Sequence, residues 1–203
     1  MYEHGHGVDA DAVRAVDLYT HAAEQGEVEA AFLLGEHLAS KNRRRALKWY
    51  QRAAKDDHLG ALYAIGLIHG DDKPPKRAKV AKESFERAVK LNSAPAKHQL
   101  SRLLAGGGRR ADAAAALRWC REAAADGYPP ALVDLGARYV EANGVDENLW
   151  EAYKQYHRAA IQGYSHAYGA LAQLFEEGWG VDEDPLMAVS IFVARVSRRT
   201  ARR

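Results

Sequence analysis

The chain has 203 residues, 47% of them hydrophobic, and a net charge of +2 at pH 7. No apolar run approaches the roughly 18–20 residues of a membrane span, and the single cysteine, Cys120, excludes an intrachain disulfide. The first residues lack the basic start and apolar stretch of a signal peptide. We therefore expect a soluble cytoplasmic protein, with the periplasm or secretion left open if the N-terminus is processed.

A first pattern recurs along nearly the whole chain: a small residue, three variable residues, an aliphatic residue and usually another small residue. We call its first residues the leading alanines: Ala30, Ala61, Ala96, Ala131 and Ala167. Their spacings of 31, 35, 35 and 36 residues indicate stacked repeats. Each copy predicts a first helix, near residues 28–39, 59–70, 94–105, 129–142 and 165–178.

A second pattern lies between these copies and also precedes the first of them. It begins with an alanine, continues with an aromatic or apolar residue three or four positions later, and usually ends in Ala-Ala. Apolar groups at such steps lie on one face of a helix. The pattern predicts second helices near residues 10–25, 42–56, 77–91, 110–126, 148–162 and 185–199, and no β-sheet.

Five residues lie four positions before a leading alanine, where a second helix ends: Gly26, Asp57, Asn92, Gly127 and Gly163. Gly and Asn suit the left-handed turn that ends a helix. One helix pair cannot bury its own apolar face, so stacking must supply the core. The sequence predicts an all-α solenoid of about five and a half antiparallel helix pairs in one domain, residues 1–203. It comprises a half repeat at 1–29 and repeats at 30–60, 61–95, 96–130, 131–166 and 167–203.

Three segments combine a small-residue anchor, a Gly-Val loop and a second helix with an aromatic residue, followed in the first two by Ala-Ala. They read YEHGHGVDADAVRAVDLYTHAAEQG, ARYVEANGVDENLWEAYKQYHRAAIQG and AQLFEEGWGVDEDPLMAVSIF. These segments resemble the Sel1-like repeat. Residues 40–45, 70–79 and 105–110 lack the Gly-Val loop. Taken by themselves, those middle repeats also fit the related tetratricopeptide repeat. The resemblance implies a right-handed superhelix that serves as a scaffold, adaptor or regulator of another protein.

No motif for catalysis is evident. The run of glycines at 106–108 lacks the spacing and the Lys-Ser/Thr ending of a phosphate-binding loop. His4 and His6 have no third ligand nearby, and the glycines around them favour a turn. Cys120 occupies a position held by an aromatic residue in most other second helices, which indicates a packed, inert thiol. We expect no enzymatic activity, no cofactor and no metal site.

Charge is strongly segregated along the chain. Residues 41–110 carry 18 basic and six acidic side chains, whereas residues 1–40 carry one and eight. Ten of the basic residues fall between first and second helices, where we expect loops that stack into a continuous basic edge. They are Lys41, Arg43, Arg44, Arg45, Lys73, Lys76, Arg77, Lys79, Arg109 and Arg110. Such an edge either guides an acidic partner or only keeps the protein soluble.

A partner-binding groove is predicted by analogy with tetratricopeptide packing, in which first helices line the concave face. The groove positions fall two and six residues after each leading alanine. They include Phe32, Glu36, Tyr63, Leu67, His98, Arg102, Val133 and Gln173. Phe32, Tyr63 and Leu67 form an apolar cluster, which marks a contact surface unless neighbouring side chains cover it. With the rings exposed, replacing Phe32 and Tyr63 by Ala should weaken binding and change stability little.

The leading functional hypothesis is a non-catalytic protein-binding scaffold or regulator, whose partner has an acidic surface. A specific inhibitor of a partner enzyme, such as an immunity protein, belongs to the same class. The alternative from another class is a nucleic-acid or polyanion binder, for which the basic loops lack interleaved aromatic residues. The first predicted helix has no upstream partner, so either missing residues or a bound protein should cover that end.

Overall fold

The computed structural model describes residues 12–70, 75–106 and 110–177 of the chain. Within these ranges all regular structure is helical, and the ten helices follow one another without a strand. They are α1 (Ala12–Glu24), α2 (Val28–Ala39), α3 (Arg43–Lys55), α4 (Leu59–Gly70), α5 (Pro75–Lys90), α6 (Ala94–Ala105), α7 (Arg110–Ala125), α8 (Pro129–Val140), α9 (Leu149–Ile161) and α10 (Ser165–Glu176). Each end lies within two residues of its predicted position. The helix predicted at 185–199 lies outside the described residues.

Two compact units divide the chain between Ala96 and Lys97, inside α6. In the first unit, α1 packs against α2, α2 against α3, α3 against α4, and α4 against α5. In the second unit, the successive pairs from α7 to α10 pack in the same way. Each of these helices thus contacts its neighbours in the sequence, which is the packing of an α-solenoid.

In three helix pairs, one large ring of the second helix packs against a glycine of the first helix. A Cβ atom added to Gly35 would lie 2.5 Å from Tyr50 Cε1, closer than two carbon atoms can pack. Burial and the hydrogen bond that Tyr50 Oη donates to Glu36 raise the pKa of Tyr50. The same ring-on-glycine contact recurs between Gly66 and Phe85 and between Gly136 and Tyr156. The small residue of the first pattern therefore gives the second helix its close approach.

The pair of α6 and α7 uses smaller side chains at these two positions. Cys120 replaces the ring and is fully buried, with its Sγ 3.7 Å from the Ala131 carbonyl oxygen. Burial raises the pKa of the Cys120 thiol to about 11. Ser101 replaces the glycine, and its hydroxyl donates to the Ala116 carbonyl over 2.7 Å. The prediction of a packed thiol is confirmed.

The five predicted left-handed turns are confirmed. Gly26, Gly127 and Gly163 have φ angles of 101°, 80° and 80°, and the non-glycine residues Asp57 and Asn92 have 54° and 59°. In each turn the following amide donates to a carbonyl five residues earlier, as Glu27 does to Ala22 over 3.0 Å. This is the Schellman ending, in which a left-handed residue satisfies the last helical carbonyls.

An arginine near the end of several second helices binds the C-terminal end of the preceding second helix. This contact was not predicted from the sequence. Arg52 donates to the Glu24 carbonyl over 2.8 Å, and Arg87 donates to the Ala54 carbonyl over 2.6 Å. Arg158 repeats the contact with the Ala124 carbonyl at 3.4 Å. A cation at the C-terminal end of a helix also interacts favourably with the helix dipole. In the sequence, the residue that makes this contact is an arginine six positions after the first alanine of the second pattern.

Candidate protein-binding surface

Phe32 lies on α2 and is half-buried by the start of the next repeat. Its ring centroid is 4.5 Å from that of His58 and 6.1 Å from that of Tyr50. A Cβ atom on Gly60 would lie 2.8 Å from the Phe32 ring. His58 is fixed by Glu29, whose Oε2 is 2.9 Å from His58 Nε2. The ring thus packs against α4 and leaves only part of its surface for a partner.

Tyr63 and Leu67 extend this surface along α4. Tyr63 is half-buried, with its ring centroid 6.0 Å from that of Phe85. Leu67 lies one turn later and has 37% of its surface exposed. On α2, Glu36 is exposed and accepts the Tyr50 hydroxyl over 2.5 Å. Phe32 and Tyr63 are half-buried, so the expectation that both rings are exposed is wrong, and the effect of their replacement on stability stays a prediction.

His98 takes the position of Phe32 in the second unit, but it is buried. Only 4% of its surface is exposed, and its Nε2 lies 2.7 Å from Asp134 Oδ2 on α8. The Tyr128 ring approaches edge-on with a centroid distance of 5.5 Å, and His98 Nδ1 is buried without a hydrogen-bond partner. His98 therefore holds Asp134 and Tyr128 in place and is not itself an exposed contact, contrary to the sequence-based expectation.

Three of the predicted groove residues line one depression of about 380 Å³ in the second unit. Its walls come from α6, α8 and the start of α10. The lining residues are His98, Gln99, Arg102, Tyr128, Pro130, Val133, Asp134, Tyr164 and His166. Arg102 is exposed, and Tyr164 stacks on His166 at a centroid distance of 5.2 Å. The depression combines a guanidinium, a carboxylate and several rings, a mixture suited to a polar protein segment.

Six of these lining residues were not predicted from the sequence: Gln99, Tyr128, Pro130, Asp134, Tyr164 and His166. Tyr128 and Tyr164 directly precede α8 and α10, three residues before a leading alanine, as His58 does in the first unit. That recurrence was readable in the sequence. Gln173 is exposed on α10 but does not line the depression.

Most residues of the predicted basic edge lie in helices and not in loops. The prediction that these cations lie in loops is wrong for Arg43, Arg44 and Arg45, which form the first turn of α3. It is also wrong for Lys76, Arg77 and Lys79, which belong to α5, and for Arg110, which begins α7. The Asn42 side chain caps α3 by accepting from the Arg45 amide at 3.0 Å, so the helix starts directly after it. Lys41 does lie in a turn; Lys73 and Arg109 lie outside the described residues.

Metal-binding clusters and membrane-spanning helices are both absent from the residues that the structure describes. No three His, Cys, Asp or Glu side chains come together there in a way that would hold a metal ion. No helix of these ranges is long and apolar enough to cross a bilayer. At the start of α1, Val13 and Leu18 are 72% and 55% exposed, so the predicted covering of this end by a partner or by further residues stays a prediction.

Comparison with known sequences identifies the repeat. The Sel1 repeat profile matches residues 1–27, 28–58, 94–128, 129–164 and 165–192. The chain belongs to the Sel1 repeat family. The sequence of the chain is similar to part of chitin synthase regulatory factor 3 of Schizosaccharomyces pombe, with 27% identity over 216 residues. This alignment covers 93% of the chain but only 22% of the relative, so the chain spans about a fifth of that protein.

Solved Sel1 structures share the architecture. A Sel1 repeat protein from Oxalobacter formigenes matches with a TM-score of 0.86 and 26% identity, over 96% of this chain and 80% of that one. A protective antigen of uropathogenic Escherichia coli matches with a TM-score of 0.85 and 27% identity, over 96% of this chain and 43% of that one. The Sel1 solenoid fold of this chain is therefore shared with both, and Sel1 repeats indicate a protein-interaction scaffold.

Proposed function

We propose that this Sel1 repeat chain is a non-catalytic scaffold or regulator that holds a partner protein on the surface of its first helices. The observation that carries the proposal is the convergence of predicted groove positions on a shaped surface. His98, Arg102 and Val133 meet in one depression, which Tyr128 and Tyr164 flank. Tyrosine and arginine are the residue types most enriched where protein partners bind tightly.

The first unit contributes the apolar part of this function. Leu67 is exposed on α4, and the partly open rings of Phe32 and Tyr63 belong to the same predicted face. Apolar side chains on such a face supply contact area, whereas the polar depression supplies orientation. We further propose that the basic residues of the first unit guide a partner with an acidic surface. The fission yeast relative is a regulatory factor, which supports a regulatory role beside a scaffolding one.

The test uses a partner that is first captured with the tagged chain from its native host and then purified. Titration calorimetry compares the unaltered chain with Leu67→Asp and with Leu91→Asp. Leu91 is a matched control because it is 43% exposed and follows the second helix α5. We expect Leu67→Asp to weaken binding at least tenfold, about 1.4 kcal/mol, and Leu91→Asp to leave it unchanged. Equal effects of the two substitutions would refute the assignment to the first helices.

A further inference from the structure

The helix α3 is exceptionally basic. Its 13 residues include three arginines in the first turn and three further cations, and no acidic residue. Cations at a helix N-terminus oppose the helix dipole, so the first turn of α3 is not arranged for helix stability. The helix nevertheless forms, since Asn42 caps it and Ala46, Tyr50, Ala53 and Ala54 bury one face.

Three exposed cations of α3 lack the ion-pair partners that three cations of α5 have among the described residues. On α5, Lys79 lies 3.8 Å from Glu83, Lys82 lies 3.8 Å from Glu86, and Arg87 lies 2.5 Å from Asp57. On α3, Arg44, Lys48 and Lys55 are exposed and have no ion pair among the described residues. Two successive second helices with six cations each thus differ in how much of their charge is left for a partner, because only α5 has glutamates of its own.

Three of the exposed cations of α3, together with Gln51, form a straight row. Arg44, Lys48, Gln51 and Lys55 follow at steps of four, three and four residues, which places them on one side of the helix. We call this row the α3 stripe. With a rise of about 1.5 Å per residue, its cations are about 6 Å and about 10 Å apart along the axis. The stripe lies away from the buried face, and Lys48, Gln51 and Lys55 also line a surface cleft of about 520 Å³.

We propose that the α3 stripe binds an acidic segment of the partner protein, with carboxylates that follow one another at this spacing. This inference rests on the proposed function and assigns the acidic contact to one helix. The cleft beside the stripe gives the uncharged residues of such a segment a seat, since Gly26 and Val28 also line it. Glu27 and Asp56 in the same lining favour a segment whose carboxylates are confined to the stripe. Exposed, unpaired cations lose no existing ion pair when carboxylates approach, so the contact requires no internal rearrangement.

The same surroundings favour a protein segment over nucleic acid. Glu27 and Asp56 line the cleft, and Asp57 follows directly in the sequence. A duplex carries a phosphate charge about every 1.7 Å along its axis, so it would meet these carboxylates as well as the stripe. Trp49 lies half-buried with the Arg52 guanidinium 5.7 Å from its ring centroid, so no open aromatic ring accompanies the stripe for base stacking.

The experiment measures fluorescence anisotropy at low salt for two labelled probes. One is a twelve-residue peptide with glutamates about 6 Å and about 10 Å apart and serines between them, and the other is a 20-base-pair DNA duplex. Lys48→Glu/Lys55→Glu changes the stripe, and Arg118→Glu/Lys154→Glu on α7 and α9, where both cations are ion-paired with glutamates, is the control with the same charge change. We expect the stripe variant to lose peptide affinity at least tenfold and the control less than threefold. Circular dichroism checks that both variants fold. Equal losses would overturn the proposal, as would tighter binding of the duplex with the same dependence on the stripe.

Leu67→Asp is measured against the same peptide, and we expect no change because Leu67 is not part of the stripe. If Leu67→Asp weakens peptide binding as much as the stripe variant does, the stripe assignment is wrong. The proposed function is judged separately by the binding of the captured partner to Leu67→Asp and Leu91→Asp. The two proposals can therefore fail independently.

Discussion

Phe32 and His98 hold the same position of the repeat, two residues after a leading alanine, yet they build different surfaces. In the first unit the Phe32 ring is half-buried beside His58, and Leu67 leaves an apolar area open. In the second unit His98 is buried beside Tyr128 and holds Asp134 at the rim of a polar depression. In both units the residue just before the next first helix packs on this position. The repeat thus fixes the geometry of the contact, and the residue types decide its chemistry.

The largest expected effect comes from breaking the packing on which both surfaces depend. Gly66→Ala would place a Cβ atom against Phe85 Cε1, inside a closely packed pair. We expect a loss of about 3 kcal/mol in the free energy of unfolding, because overpacking forces helices apart. Gly70→Ala in the same helix is the control, since no atom of the described residues lies within 4 Å of its added Cβ atom. Urea unfolding measures both; equal stabilities would show that the glycine contact does not set the helix spacing.

A smaller effect tests the polar side of the comparison. Asp134→Ala removes the partner of a buried imidazole, and we expect a loss of about 1–2 kcal/mol in the free energy of unfolding. Asp146→Ala, at an exposed position of the loop after α8, should stay within about 0.5 kcal/mol of the unaltered chain. Urea unfolding at neutral pH compares the two variants. If Asp134→Ala is as harmless as Asp146→Ala, the pair does not organise the depression.

The elements of the fold were predictable because their signals are local. The leading alanines and the left-handed residues Gly26, Asp57 and Asn92 lie within one turn of the structure they specify. The burial of His98 was not predictable in this way, since it depends on Asp134, a neighbour 36 residues away. The location of the basic residues was misjudged for a different reason. Asn42 is an N-cap, and its preference for the residue before a helix indicated that Arg43 begins α3.

The least perturbing test concerns Cys120, where the α6–α7 pair has a thiol in place of a ring. Burial raises the pKa of this thiol to about 11, so at pH 8 only about one molecule in a thousand carries the reactive thiolate. We expect labelling of the folded chain by a disulfide reagent to be at least 100-fold slower than labelling in urea. The labelling rate of the folded chain should rise about tenfold per pH unit up to about pH 11. The labelling rate of an ordinary thiol, in contrast, reaches a plateau near pH 9. Fast labelling at pH 8 would contradict a packed thiol.

Hydroxyl-radical footprinting of the complex with the captured partner tests the central claim, binding by the first helices, most directly. The aromatic residues of the two helix classes report in one experiment: Tyr63, Tyr128 and Tyr164 for the first helices, and Trp119 and Trp150 for second helices other than α3. Trp150 is 54% exposed and provides an internal reference. We predict that partner binding slows oxidation of the three tyrosines and leaves the two tryptophans unchanged. Slower oxidation of the tryptophans, with the tyrosines unaltered, would place the partner on the opposite helices and contradict the account.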